Sequence, residues 1–117
     1  MPDKSWIGVD LDGTLAYYDG WKGLDHIGLP IPRMLEHVKK WLKKGRNVRI
    51  FTARVSPVEG RDAHIARVAI QHWLLQYIGQ ELPITHEKDR WMVELWDDRA
   101  VQVVKNTGVR ADGADIT

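Results

Sequence analysis

Residues Trp6 to Leu15 read Trp-Ile-Gly-Val-Asp-Leu-Asp-Gly-Thr-Leu, a short apolar strand that runs straight into two aspartates one residue apart. No other stretch constrains the chain as much, because it implies both a buried strand and a polar tip. A buried strand from Trp6 to Val9 delivers Asp10 to its carboxyl end, where the ladder stops and the backbone amides of Leu11 and Asp12 face an anion. Leu11 points the opposite way from its neighbours, so Asp10 and Asp12 address one small volume. Two carboxylates crowded there repel unless a cation or a shared proton intervenes, which suits a hard divalent ion with Gly13 turning the chain sharply beside it. Taken alone, the stretch also reads as a strand followed by an Asp-Gly turn, so the decision rests on the rest of the chain.

A chain of 117 residues is expected to form one domain with a single core. After the first strand, residues 16–30 lack periodicity and read as a hairpin or irregular flap with Asp19-Gly20 as its turn. There, Tyr18 and Trp21 either stack on a base or sugar of a substrate or pack the flap against the domain. A helix is predicted from about Ile31 to Lys44, opened by Pro32 and stopped by Gly45, with Met34, Leu35, Val38, Trp41 and Leu42 as its apolar stripe. Asn47 to Phe51 is the second strand, and it ends in Thr52-Ala53-Arg54. A hydroxyl there, helped by the next amide, at Ala53, can hold a phosphoryl oxygen, and Arg54 reaches either a phosphate or a carboxylate.

The spacing next predicts a long helix over Pro57 to Ile78, with Ile65, Val68, Ala69, Leu74 and Ile78 apolar and Gly79 as its stop. His64 and His72 on it have no third ligand in sequence and are read as solvent-facing. Leu82 to Thr85 is a brief strand before His86-Glu87-Lys88, and Met92 to Trp96 is a strand ending in Asp97-Asp98-Arg99. A lysine near paired aspartates lowers their repulsion, and a further acidic pair at a strand end adds oxygen ligands for Mg²⁺. Spacing does not say which of Asp97 and Asp98 touches the metal, and one of them is expected to cap a short helix from Ala100 to Asn106. Val109 to Ala111 closes the chain as an edge strand, and residues 112–117 form a polar tail.

Strands alternating with helices, each strand ending in a polar residue, predict an α/β fold. The expected form is a doubly wound, Rossmann-like parallel sheet with helices on both faces and ligands at the carboxyl edge. The ordered set Asp10-Leu11-Asp12-Gly13-Thr14, Thr52-Ala53-Arg54, Lys88 and Asp97-Asp98 resembles the four motifs of the haloacid dehalogenase-like (HAD) phosphatases across about the whole chain. The resemblance implies a catalytic set of Asp10 as nucleophile, Asp12 as general acid and base, Thr52 and Lys88. It also implies substrate contacts from Leu11, Ala53, Arg54 and Trp21, and an Mg²⁺ ion held by Asp10, Asp12, Asp97 and Asp98. Neither interval where the family inserts a cap is long enough for one, so a capless, open site is expected. The run from Asp97 to Val104 is similar to the corresponding region of polynucleotide 3′-phosphatases.

The implied activity is Mg²⁺-dependent hydrolysis of a phosphomonoester through an aspartyl-phosphate, on a small-molecule phosphate ester or a nucleic-acid phosphate end. With 17 basic and 16 acidic residues the net charge is +1, which argues against strong duplex binding. No cysteine is present, no apolar run approaches a membrane span, and a soluble cytoplasmic protein is expected. The six tryptophans leave room for a partner subunit. Two rivals compete: a receiver-like phospho-acceptor domain, which carries its acidic pair first and its phosphorylated aspartate later, and an inactive HAD-like binding module.

Overall fold

The computed structural model describes residues 3–57 and 62–114. Its elements are β1 (Trp6–Asp10), α1 (Pro32–Lys43), β2 (Asn47–Phe51), a 3-10 turn (Ala53–Val55), α2 (Ala63–Tyr77), β3 (Ile84–Thr85) and β4 (Met92–Trp96). The strands form one all-parallel sheet in the order β3-β2-β1-β4. β1 therefore has a neighbour on each side, and its residues Trp6 to Val9 are buried, as a strand covered on both faces requires.

Side chains alternate across a strand, and this divides β1 cleanly. Ile7 and Val9 join Val48 and Ile50 of β2 in one core cluster with Met34 and Val38 of α1 and Ala66, Ile70 and Leu74 of α2. Both helices thus cover the same face. The reason is the handedness of the crossovers: β1 to β2 and β2 to β3 step in one direction, and right-handed connections then place their helices on one side. The expected helices on both faces are not found among the described residues.

On the second face, Trp6 is met by the segment 86–91, which returns the chain to the start of β4. Asp89 Oδ1 accepts from Trp6 Nε1 at 2.9 Å, and the Arg49 guanidinium lies 4.5 Å from the centre of the Trp6 ring. Gly8 leaves the room that ring occupies. A Cβ at this position would sit 3.2 Å from the Trp6 ring and 3.2 Å from Leu95 Cδ1, tighter than packed cores normally allow.

α1 matches its predicted range, with proline in the first turn, Lys40 and Lys43 in the last, and Met34 and Val38 buried. α2 begins later than expected, at Ala63, because the Asp62 carboxylate accepts from the amides of His64 and Ile65 and caps it. The start predicted at Pro57 falls partly on residues 58–61, which lie outside the described residues. Its buried stripe is Ala66, Ile70, Trp73 and Leu74, whereas Ile65 and Val68 are exposed. Trp73 Nε1 donates to Gly28 O at 2.8 Å and so fixes residues 16–30 against α2.

The helix expected from Ala100 to Asn106 is absent. Val103 instead forms an antiparallel bridge with Arg110, and Val104 N donates to Val109 O at 2.8 Å. A β-branched run favours extended chain, and Asn106 and Gly108, both at positive φ, reverse it. The final edge strand expected at Val109 to Ala111 is therefore one arm of a small hairpin, not a member of the main sheet. Residues 115–117 of the polar tail lie outside the described residues. Among the described residues no helix is long and apolar enough to cross a membrane.

Candidate active site

Because β2 and β3 lie on one side of β1 and β4 on the other, the strand order reverses between β1 and β4. Crevices at the carboxyl ends of strands open at such a reversal. Here a cavity of about 370 Å³ is lined by Asp10, Asp12, Thr52, Arg54, Asp97 and Asp98, with Tyr18, Trp21, Phe51 and Arg99 completing its walls. A larger groove of about 580 Å³ lies on the outer face of α2, with His64, His72 and Asp25 among its residues. It contains none of these strand-tip groups.

The β4 tip is held from below. The Trp96 ring packs edge-on against Trp41, centroids 5.1 Å apart, and at a tilt against His37, centroids 5.4 Å apart, which fixes the residue preceding the acidic pair. Asp97 Oδ1 then accepts from Arg99 N at 2.8 Å, a turn in place of the expected helix cap. Thr14 joins the two tips: its hydroxyl accepts from Asp98 N at 3.0 Å and lies 3.2 Å from Asp10 Oδ2 and 3.4 Å from Asp98 Oδ1, so its one proton serves either carboxylate. Gly13 has φ +87°, and a Cβ there would sit 2.6 Å from Asp98 Oδ2. Only glycine satisfies both the backbone and the approach of Asp98.

One oxygen from each of Asp10, Asp97 and Asp98 lies within 4.8 Å of the others, so the three could together hold a metal ion. Burial, then a hydrogen bond with Asp98 and the charge of Asp97, pushes the Asp10 carboxyl up to about 7, against a smaller downward pull from the Thr14 hydroxyl. A cation among these oxygens would remove that repulsion, and an all-carboxylate donor set suits a hard divalent ion. The residues therefore fit such an ion.

Asp12 is not part of the acidic cluster. Its two oxygens accept from Arg54 Nε at 2.7 Å and Nη2 at 2.8 Å. Arg54 Nη1 donates to Gly23 O at 3.1 Å and Leu24 O at 3.0 Å, and the guanidinium lies 4.9 Å from the Trp21 ring centre. Arg54 is itself buried, and the carboxylate it takes is the half-buried one of Asp12. Thr52 is buried; its Oγ1 accepts from Arg54 N at 3.1 Å and its amide donates to Thr85 O at 2.9 Å. That leaves the hydroxyl proton to address the cleft.

The structure brings together Asp10, Asp12, Thr52, Ala53, Arg54, Trp21, Asp97 and Asp98. It does not bring Lys88. That residue is exposed in the 86–91 segment, beside the Asp89 that anchors to Trp6 at the opposite end of β1, and it does not line the cleft. Leu11 has a fully buried side chain, and its carbonyl accepts from Leu15 N and Ala16 N to close the turn after β1. Sequence reasoning missed Thr14, Phe51 and Arg99 as site residues. Thr14 and Arg99 each adjoin an acidic motif, the one signal that could have marked them.

These features define a parallel-sheet α/β protein with an acidic cleft at the strand-order reversal. No family model matches the sequence, and no curated protein matches it either. Among solved structures, a conserved protein from Bacteroides thetaiotaomicron superposes with a TM-score of 0.55 at 21% identity, covering 82% of this chain and 77% of that one. At that identity the similarity speaks to the fold alone.

Proposed function

We propose that the chain is a capless HAD-like phosphatase, an Mg²⁺-dependent phosphomonoester hydrolase working through an aspartyl-phosphate on Asp10. The observation that carries this reading is the meeting of Asp10, Asp97 and Asp98 within 4.8 Å at the carboxyl edge of a parallel sheet, with Thr52 in the same cleft. When bound, Mg²⁺ would be held by Asp10, Asp97 and Asp98, and would supply charge neutralisation for the phosphoryl oxygens and favour ionised Asp10.

This chain's own residues carry the proton and bond changes. A carboxylate oxygen of Asp10 forms a bond to phosphorus as the ester P–O bond breaks, and Asp12 gives its proton to the departing oxygen. A water then attacks the phosphorus of the aspartyl-phosphate, Asp12 takes the water's proton, and the bond to Asp10 breaks to release phosphate. The Thr52 hydroxyl orients a phosphoryl oxygen. Lys88 has no part in this scheme, and among the described residues Arg99 is the cation that lines the cleft without a place in the Asp12 pair.

Tyr18 and Trp21 on the wall favour a substrate with a planar group, which supports nucleotide or nucleic-acid phosphate ends over small sugar phosphates. The decisive experiment is steady-state phosphate release from an aryl phosphate with Mg²⁺, followed by 3′-phosphorylated oligonucleotides against free mononucleotides. Multiple turnovers that vanish on chelation and in Asp10→Asn are expected. A single stoichiometric phosphorylation would instead mark a receiver-like acceptor, and no phosphorylation at all a binding module.

A further inference from the structure

We infer that Arg54 is a positioning residue, joining the Asp12 carboxylate and the segment 16–30 into one rigid unit that aims Asp12 at the leaving-group oxygen. The inference rests on the phosphatase reading for its catalytic half only. Its basis is how completely the guanidinium is used. Nε and Nη2 bridge both oxygens of Asp12, Nη1 donates to the carbonyls of Gly23 and Leu24, and the plane lies over Trp21. The side chain is only 4% exposed. Four of the five N–H donors of this enclosed guanidinium go to protein acceptors, which leaves at most one N–H of Nη2 for a phosphate and none of the two-pronged geometry that holds one tightly.

Three parts of the chain converge on this one group: the turn after β2 that carries Arg54, the β1 tip that carries Asp12, and the irregular segment that supplies Gly23 and Leu24. The irregular segment has no strand or helix of its own. Among its ties to the domain are Trp73 to Gly28 on one side and Arg54 on the other. Removing Arg54 therefore does two things at once. It frees the Asp12 carboxylate to rotate, and it releases the part of the segment that carries Trp21.

General acid catalysis matters most for a poor leaving group, and kcat/KM reports only the steps through aspartyl-phosphate formation. The test compares kcat/KM of wild type, Arg54→Ala and Arg54→Lys on an alkyl phosphate and on p-nitrophenyl phosphate, whose leaving group needs no proton. We expect Arg54→Ala to lose on the order of 10²-fold on the alkyl ester and less than about 10-fold on the aryl ester, with KM little changed. Arg54→Lys keeps the charge but cannot bridge both Asp12 oxygens and both carbonyls, so it should show the same inequality at smaller size. It also carries the test if Arg54→Ala fails to fold.

Free guanidinium should restore part of the alkyl-ester rate in Arg54→Ala. Equal losses on the two esters, or a raised KM with kcat unchanged, would overturn the inference; the second would make Arg54 a direct phosphate ligand. Trypsin cleavage after Lys22, measured without substrate, tests the anchoring half independently, with at least about threefold faster cutting expected in either variant. Unchanged cutting would overturn that half. If the wild type hydrolyses neither ester, the phosphatase reading and the aiming of Asp12 fall together, while the digestion still decides whether Arg54 anchors the segment.

Discussion

Asp10 and Asp12 leave the same strand one residue apart, yet they enter opposite electrostatic surroundings. Asp10 faces Asp97 and Asp98, and its carboxyl is pushed up to about 7 by burial and then by those neighbours. Asp12 meets the buried Arg54 guanidinium in a two-pronged pair at 2.7 and 2.8 Å. Two like groups whose surroundings differ so sharply are suited to different work. Under the proposed phosphatase reading, the Asp10 side would serve a cation and a nucleophile, and the Asp12 side would hold the proton carrier in one orientation.

The most severe way to break the comparison is Asp10→Asn, which should lower turnover on the order of 10⁴-fold or more while the fold persists by circular dichroism. Asp12→Asn should cost about 10²–10⁴-fold, with a larger loss on alkyl than on aryl phosphates. Similar losses on both esters would erase the division of roles. Gly13→Ala attacks the acidic side through the backbone, because the new methyl would fall 2.6 Å from Asp98 Oδ2 at φ +87°. Denaturant unfolding should report a loss of about 1–3 kcal/mol, together with weakened Mg²⁺ dependence.

The smallest effect is a pH dependence of stability in the metal-free protein. Asp10 binds its proton more tightly folded, near 7, than at its ordinary value of 3.8. Its stabilising contribution is therefore full below about 4 and is lost as pH rises through about 7. Asp10→Asn carries no such term, so its Tm should rise relative to wild type as pH increases across that window. A constant difference between the two proteins would mean that Asp10 is not crowded by carboxylates.

The β1 tip was legible because everything it needs is contiguous: Asp10, Asp12, Gly13 and Thr14 lie on one strand and its turn. Thr52 and the pair Asp97-Asp98 were legible as polar residues ending apolar runs. Contacts between distant residues were not. The Arg54–Asp12 pair spans 42 positions and the Thr14–Asp98 contact spans 84, and no periodicity encodes either. Lys88 was placed by its order along the chain, but the segment 86–91 carries it back across the sheet toward the start of β4, where Asp89 meets Trp6. The placing of both helices on one face followed from strand order, which spacing alone does not specify. The valines after Asp98 turned out to build a hairpin because extended pairing through Asn106 and Gly108 competes successfully with a short helix.

Calorimetric titration of Mg²⁺ into wild type, Asp98→Asn and Asp12→Asn tests the division between the two sides of the β1 tip most directly. The account predicts a single site that weakens by about 10-fold or more in Asp98→Asn, from the loss of one charged ligand, and changes by less than about threefold in Asp12→Asn. No binding at millimolar Mg²⁺, or an equal loss in both variants, would contradict it.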